Sequence, residues 1–146
     1  MTPAFLLDVN VFIEAKNRYY SFDVFPAFWR WLDEQQAAGQ LASVQLVGDE
    51  LERGRDALAD WAKERRTRGW FLAVDDGATQ QALSEIANWV MGQTGLLPTA
   101  KEAFLACSDP WLIAKARVLG AAVVTHETFD PQSRRKVKIP NVCQPF

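Results

Sequence analysis

Four carboxylates stand where charges that only solubilise would not. Asp8 closes the apolar run Phe5-Leu6-Leu7, and Glu50 lies among the apolar positions Val47 and Leu51. Asp109 comes directly before Pro110, and Glu127 follows the apolar run Ala121–Thr125 by two residues. Carboxylates held within about 4–6 Å of one another repel unless positive charge sits between them. The simplest neutraliser is a divalent cation, and an all-oxygen set favours Mg²⁺ or Mn²⁺ over zinc. Such a cluster activates water and stabilises the charge that develops on phosphate during in-line displacement. Each acid also has a plainer reading. Asp8 and Asn10 fit the cap of a following helix, Asp109 fits a cap, and Glu50 fits a surface position at the edge of an apolar face.

The chemistry depends on elements that bring these residues together. Phe5–Leu7 reads as a short buried strand. Asp8 to Lys16 turns into a helix, and Asn17 to Asp23 is a polar-aromatic loop. Pro26 opens a helix with Phe28, Trp31 and Leu32 as its apolar face, ended by Gly39. Leu41–Val44 is a second strand. A helix from Val44 to Arg53 carries Glu50, and another runs from Arg55 to Arg68. The basic end of that helix (Lys63, Arg65, Arg66, Arg68) suits a helix C-terminus on a solvated face. Trp70–Val74 is a third strand, closed by a turn at Asp75-Asp76-Gly77. Ala78–Met91 is helical, with Leu83, Ile86, Ala87 and Val90 inward. A short helix covers Thr99–Ala106, and Ser108-Asp109-Pro110 starts another that runs to Leu119, with Gly120 ending it. Ala121–Thr125 reads as the most clearly buried strand, and a last short strand is expected near Asn141–Cys143.

Strands alternating with helices at this spacing predict an α/β fold: a three-layer α/β/α arrangement around a mostly parallel sheet of four or five strands. In a parallel sheet the carboxyl ends of the strands share one edge, and ligands bind there. Asp8 and Glu127 lie just past two such ends. Asp109 precedes the strand that delivers Glu127, and Glu50 reaches the same edge if its helix packs across the crevice.

The 146 residues suit one domain, 1–146, with hydrophobic residues at 49% and charged residues at 23%. A net charge of −2 makes the whole protein no general attractor of nucleic acid, so any such contact needs local basic patches. The single histidine, His126, excludes a multi-histidine zinc site. Cys107 and Cys143 lack metal-type spacing and read as buried thiols of a reducing cytosol. The chain opens without a basic-then-apolar leader, and no apolar run approaches about 20 residues, so a cytoplasmic protein with no membrane span is expected. Six Trp and nine Phe are generous for this length. The aromatics Tyr19, Tyr20, Phe22, Phe25 and Trp29 hint at a homodimer surface.

Phe5-Leu6-Leu7-Asp8-Val9-Asn10-Val11-Phe12-Ile13 resembles the opening of PIN domains, an apolar strand followed by Asp, any residue and Asn. Asp49-Glu50-Leu51 resembles that family's second acidic element, and Ser108-Asp109-Pro110-Trp111-Leu112-Ile113-Ala114-Lys115-Ala116 its third. Val123-Val124-Thr125-His126-Glu127 resembles the fourth. Order, spacing and length agree along the whole chain. The segment Glu14–Pro26 looks like a less characterised PIN-like branch. Two positions depart from the pattern: Val9 stands where Thr or Ser is common, and Glu127 where Asp is usual.

The resemblance implies a metal-dependent endoribonuclease, hydrolysing RNA phosphodiester bonds with Mg²⁺ or Mn²⁺. It further implies the toxin of a toxin–antitoxin pair, of the VapC type, whose partner is an antitoxin protein. Asp8, Glu50, Asp109 and Glu127 are then both the catalytic acids and the metal ligands, with Asn10 and Thr125 in support. Of Asp49 and Glu50, the resemblance selects Glu50. Lys16, Arg18, Lys115, Arg134 and Arg135, with the rest of the basic loop through Lys138, are the candidate RNA contacts, although a solvated charged face explains each as well. His126 adjoins the site and is expected to point away from it. Asn10 excludes a haloacid-dehalogenase phosphatase, which needs a second Asp there. A response regulator would need an acidic pair before Asp8, and there is none. The remaining rival is a catalytically weak PIN-like module that binds RNA or protein.

Overall fold

The structure, a computed structural model, describes residues 2–146. Strands β1 (Phe5–Leu7), β2 (Leu41–Val44), β3 (Phe71–Leu72) and β4 (Ala122–Val124) form one sheet in the order β3-β2-β1-β4. Every pairing is parallel, with Phe5 opposite Leu41 and Ala122, and Ser43 opposite Phe71. The expected α/β/α architecture is therefore present, with four strands. Helices α1 (Val9–Glu14), α2 (Pro26–Ala37), α3 (Gln45–Arg53), α4 (Ala57–Glu64), α5 (Gly77–Met91), α6 (Pro98–Ala106), α7 (Asp109–Leu119) and α8 (Ile139–Cys143) cover the two faces. A π-helical turn, Ala15–Tyr19, continues α1 into the stretch expected to be loop.

Two apolar clusters hold these layers. One joins Leu6, Phe12, Val44, Trp61 and Trp70 under α1 to α4; the other joins Ile86, Val90, Phe104, Ile139 and Val142 among α5, α6 and α8. Helix α7 belongs to both. Leu112 and Ala116 face the first cluster, and Ile113 and Ala114 the second. Neighbouring apolar residues on α7 thus tie the two cores together, which fixes the position of Asp109 at its start. Gly120, at φ 68°, takes the left-handed conformation that ends α7.

Several local expectations are overturned. Residues 139–143 form α8, not a strand. Pro140 sits in its first turn, where a missing N–H costs nothing, and Ile139 and Val142 turn inward three residues apart. Among the described residues no fifth strand lies beyond β4, so it is an edge strand, and Val124 is 36% exposed. The third strand keeps only Phe71 and Leu72 of its five expected residues. On α2 the inward face is Trp29 and Leu32, while Trp31 points to solvent. Trp29 is therefore core and leaves the proposed self-association surface, whereas Tyr19, Tyr20 and Phe25 are exposed.

The basic end of α4 is also different. Arg65 does cap, donating to Trp61 O at 3.0 Å, but not from solvent: its guanidinium also grips both oxygens of Asp33 at 2.7 Å, and lies 4.4 Å over the Trp61 ring. Arg66 bridges Asp49 and Glu52. Trp70 Nε1 donates a third hydrogen bond to Asp33 at 2.9 Å. Burial pushes the Asp33 carboxyl up, but the bonds from Arg65 and Trp70 together outweigh it and hold the carboxyl below its ordinary value. A carboxyl lowered on folding stabilises above its unfolded value, and that stability is lost as pH falls through the folded value. Asp33→Asn is expected to cost about 1 kcal/mol at pH 7, discounted for partial exposure. Urea melts should show the deficit at pH 7 and its progressive loss as pH falls below the ordinary carboxylate value. A deficit that does not change with pH would show that charge is not what the pair contributes.

Candidate metal centre

In the strand order β3-β2-β1-β4 the chain steps outward from β1 to β3, then returns to the other side of β1 with β4. The gap between β1 and β4 is the switch point, where diverging connections leave a crevice at the carboxyl ends. Asp8 directly follows β1 and Glu127 lies just beyond β4. Glu50 arrives on α3, the helix after β2, and Asp109 opens α7, the helix before β4.

Asp8 is 1% exposed. It precedes α1 with an extended backbone, yet its side chain makes no capping bond, so the cap reading is not realised. Instead its Oδ2 accepts from the Thr125 hydroxyl at 3.0 Å, and its backbone N–H extends the β1–β4 pairing to Val124 O. Among the described residues its Oδ1 is buried without a well-aligned hydrogen-bond partner, although the Val9 backbone N–H acts on the carboxyl. Burial raises its carboxyl above the ordinary value, and the charges of Glu127 and Glu50 add to that, against the bonds from Thr125 and the Val9 backbone N–H. An unpaired buried carboxylate oxygen costs free energy that a cation would recover.

Thr125 serves two acids. Its oxygen also accepts from the backbone N–H of Glu127 at 3.1 Å, which fixes the turn after β4. Thr125→Val is expected to lower Mn²⁺ affinity about tenfold while leaving the far-ultraviolet spectrum unchanged, as outer partners of metal ligands typically do. Titration calorimetry reads this, and unchanged affinity would make Thr125 a purely structural residue.

Asp109 is pushed up to about 7, first by burial and then by the charges of Asp8, Glu127 and Glu50. The three other acids all act on this one carboxyl, so the four share one neighbourhood. Glu50, not Asp49, faces it: Glu50 Oε1 accepts from the backbone N–H of Ser108 at 2.9 Å, while Asp49 pairs with Arg66. Asp109 is not the cap expected of it: it is the first residue of α7, and the cap position falls to Ser108, whose hydroxyl caps nothing. The Ser108 Oγ is a second buried polar atom without a partner beside the site.

Glu127 is held differently. Lys136 Nζ lies 2.7 Å from one oxygen, and the backbone N–H of Ile139 donates to the other at 2.7 Å. Lys136 therefore brings a positive charge to the cluster, which no motif announced. Its ammonium is raised above its ordinary value, led by the hydrogen bond to Glu127 and aided by the charges of Asp109 and Asp8. Among the described residues no three side chains of His, Cys, Asp or Glu close into a ready-made coordination shell. The donor set nevertheless suits Mg²⁺, which typically keeps several waters and takes one or two carboxylates plus substrate phosphates. The unpartnered Asp8 oxygen and the crowded Asp109 are the groups that would hold it.

Asn10 lies half-buried in the first turn of α1. His126 is exposed. Of the expected RNA-contacting cations, three are engaged within the protein: Lys16 with Asp56, Arg18 with Glu14, and Lys115 with Asp76. Arg134 and Arg135 are exposed and make no ion pair among the described residues. Both cysteines are free, and burial pushes the Cys107 thiol up to about 12. No helix among the described residues is long and apolar enough to cross a membrane.

Residues 5–146 match the model of a family described as Domain of unknown function (DUF4411). No curated protein and no solved structure matches the chain.

Proposed function

The chain belongs to the DUF4411 family, and we propose that within it this protein is a Mg²⁺- or Mn²⁺-dependent endoribonuclease. The observation that carries the reading is the buried, unpartnered Oδ1 of Asp8, at the switch-point crevice with Asp109, Glu50 and Glu127 around it. The resemblance of its four acidic elements to PIN domains supports RNA as the substrate. A divalent cation held by these carboxylates would supply activation of water and neutralisation of charge on the phosphate under attack.

The protein's own residues supply position and environment. Asp8 and Asp109 offer the carboxylate oxygens, and Thr125 fixes the orientation of Asp8. Glu50 is locked to the start of α7 through Ser108 N–H, so α3 and α7 keep a fixed spacing across the crevice. Lys136 balances the anionic charge near Glu127. By the same resemblance the protein is the toxin of a pair, acting in the cytoplasm and silenced by an antitoxin. A weakly catalytic RNA- or protein-binding module is the second reading, favoured by the engagement of Glu127 with Lys136 and Ile139.

Purified protein should bind Mn²⁺ by calorimetry and cut single-stranded RNA with Mg²⁺ or Mn²⁺ but not with EDTA. Asp8→Asn should lose both responses with its fold intact. Wild-type protein that binds no Mn²⁺ and cuts no RNA would sink the nuclease reading. RNA binding without cutting would select the second. Expression that arrests growth, with arrest relieved by Asp8→Asn, would support the toxin role.

A further inference from the structure

Beside the acid cluster lies a cavity of ≈ 320 Å³ between α6 and residues 135–137. Its floor is apolar, built by Ala100, Phe104 and Val137, with Ala103 at the rim. Asp109 is among its lining residues, so the cavity adjoins the candidate metal centre. Arg135 and Lys136 flank the opening. Arg135 makes no ion pair among the described residues, and Lys136 already reaches Glu127. An apolar slot, two cations at its mouth and a carboxylate in its lining match the parts of one nucleotide. The base is flat and apolar-faced, and the phosphate is anionic. The volume lies at the low end of small-ligand pockets, which span roughly 300–1,000 Å³. It has room for one base.

We infer that this cavity is a subsite for the unpaired base of the nucleotide next to the cleaved phosphate, with Arg135 and Lys136 on that phosphate. The substrate is then single-stranded, because a base must leave its stack to enter. This deepens the nuclease reading and rests on it for the identity of the polymer. The occupancy of the cavity can be tested without cleavage.

The probes are 5′-UMP and 5′-AMP, titrated into metal-free wild-type protein and followed by backbone amide shifts. Shifts are expected in residues 99–107 and 135–137. Ala103→Trp places a large side chain at the exposed rim, so the core is spared. It is expected to weaken nucleotide binding at least tenfold while Mn²⁺ affinity stays unchanged. Arg135→Ala should weaken it severalfold. With oligonucleotides, single-stranded RNA should be cut and the same sequence in a duplex spared. Shifts confined to other surfaces, no nucleotide binding at millimolar concentration, wild-type binding by Ala103→Trp, or equal cutting of duplex would each overturn the inference. Nucleotide binding lost in Ala103→Trp, in a protein that cuts no RNA, would uphold the subsite and refute the nuclease instead.

Discussion

Asp109→Asn is expected to reduce metal-dependent RNA cleavage by at least ~100-fold and, in EDTA, to raise the melting temperature by several degrees. The loss exceeds that for an outer partner of a ligand, which is itself worth about 10–100-fold. The gain in stability follows from charge. Burial and the neighbouring Asp8, Glu127 and Glu50 push the Asp109 carboxyl up to about 7. Its ionised form is therefore disfavoured in the folded, metal-free protein. For a carboxyl raised on folding, the penalty begins as pH passes the unfolded value of 3.8 and is complete above the folded one. The amide keeps the shape and removes the charge. A gain of roughly 1–3 kcal/mol, at about 2–4 °C per kcal/mol for a chain of this size, is the expected scale at pH 8. Below about pH 3, where the carboxyl is protonated in both states, the variant and wild type should melt together. Mn²⁺ should raise the wild-type melting temperature and leave that of the variant nearly unmoved. A variant that still cuts RNA would remove Asp109 from the centre, and one that melts lower in EDTA would show that the acids do not crowd it.

The same crowding of charge that sets this expected opposition is what lets the acids be singled out from sequence. Asp8, Glu50 and Asp109 break an otherwise consistent apolar pattern, and local rules are broken where a site demands it. The parallel sheet was legible for the same reason. Leu6, Leu7 and the Leu41–Val44 run show no alternation because both faces of β1 and β2 are covered. From sheet order came the shared edge, and from the edge came the site.

What stayed hidden needed long-range partners. Arg65 and Asp33 are 32 residues apart, and nothing local distinguishes their bidentate pair from a solvated cap. Lys136 looked like one cation in a basic loop, and only the fold places it on Glu127. The runs Ala121–Thr125 and Asn141–Cys143 were misjudged by local signals alone. An apolar run does not say whether another strand lies beyond it. Pro140 offered the one hint of a helix start, set against β-branched Val142. Ser108 could have been noticed as a hydroxyl adjoining a candidate ligand, but its burial without a partner is visible only in three dimensions.

Trp70→Ala should be the most destabilising single change in the molecule's aromatic core, and it separates what holds the fold from what acts. Trp70 is fully buried, 5.2 Å from the Trp61 ring and 5.9 Å from Phe12, and its backbone oxygen accepts from Ser43 N–H at 2.8 Å. Removing the indole leaves a cavity between three aromatic neighbours and takes one of the donors from Asp33. Such truncations cost about 3–5 kcal/mol. Against a typical total of about 5–15 kcal/mol, that lowers the melting temperature by roughly 10 °C or more. Trp70→Phe keeps most of the ring volume and loses only the indole donor, so its cost should be nearer ~1–2 kcal/mol. The partners of the Trp70 ring are Asp33, Phe12, Trp61 and Phe71, none of them one of the four acids. The folded fraction of either variant, held at low temperature, should therefore bind Mn²⁺ as the wild type does. If Trp70→Ala instead remained folded with its melting point intact, the first core would not be close-packed around this indole. If it stayed folded but lost Mn²⁺, the site would depend on that core for more than its position.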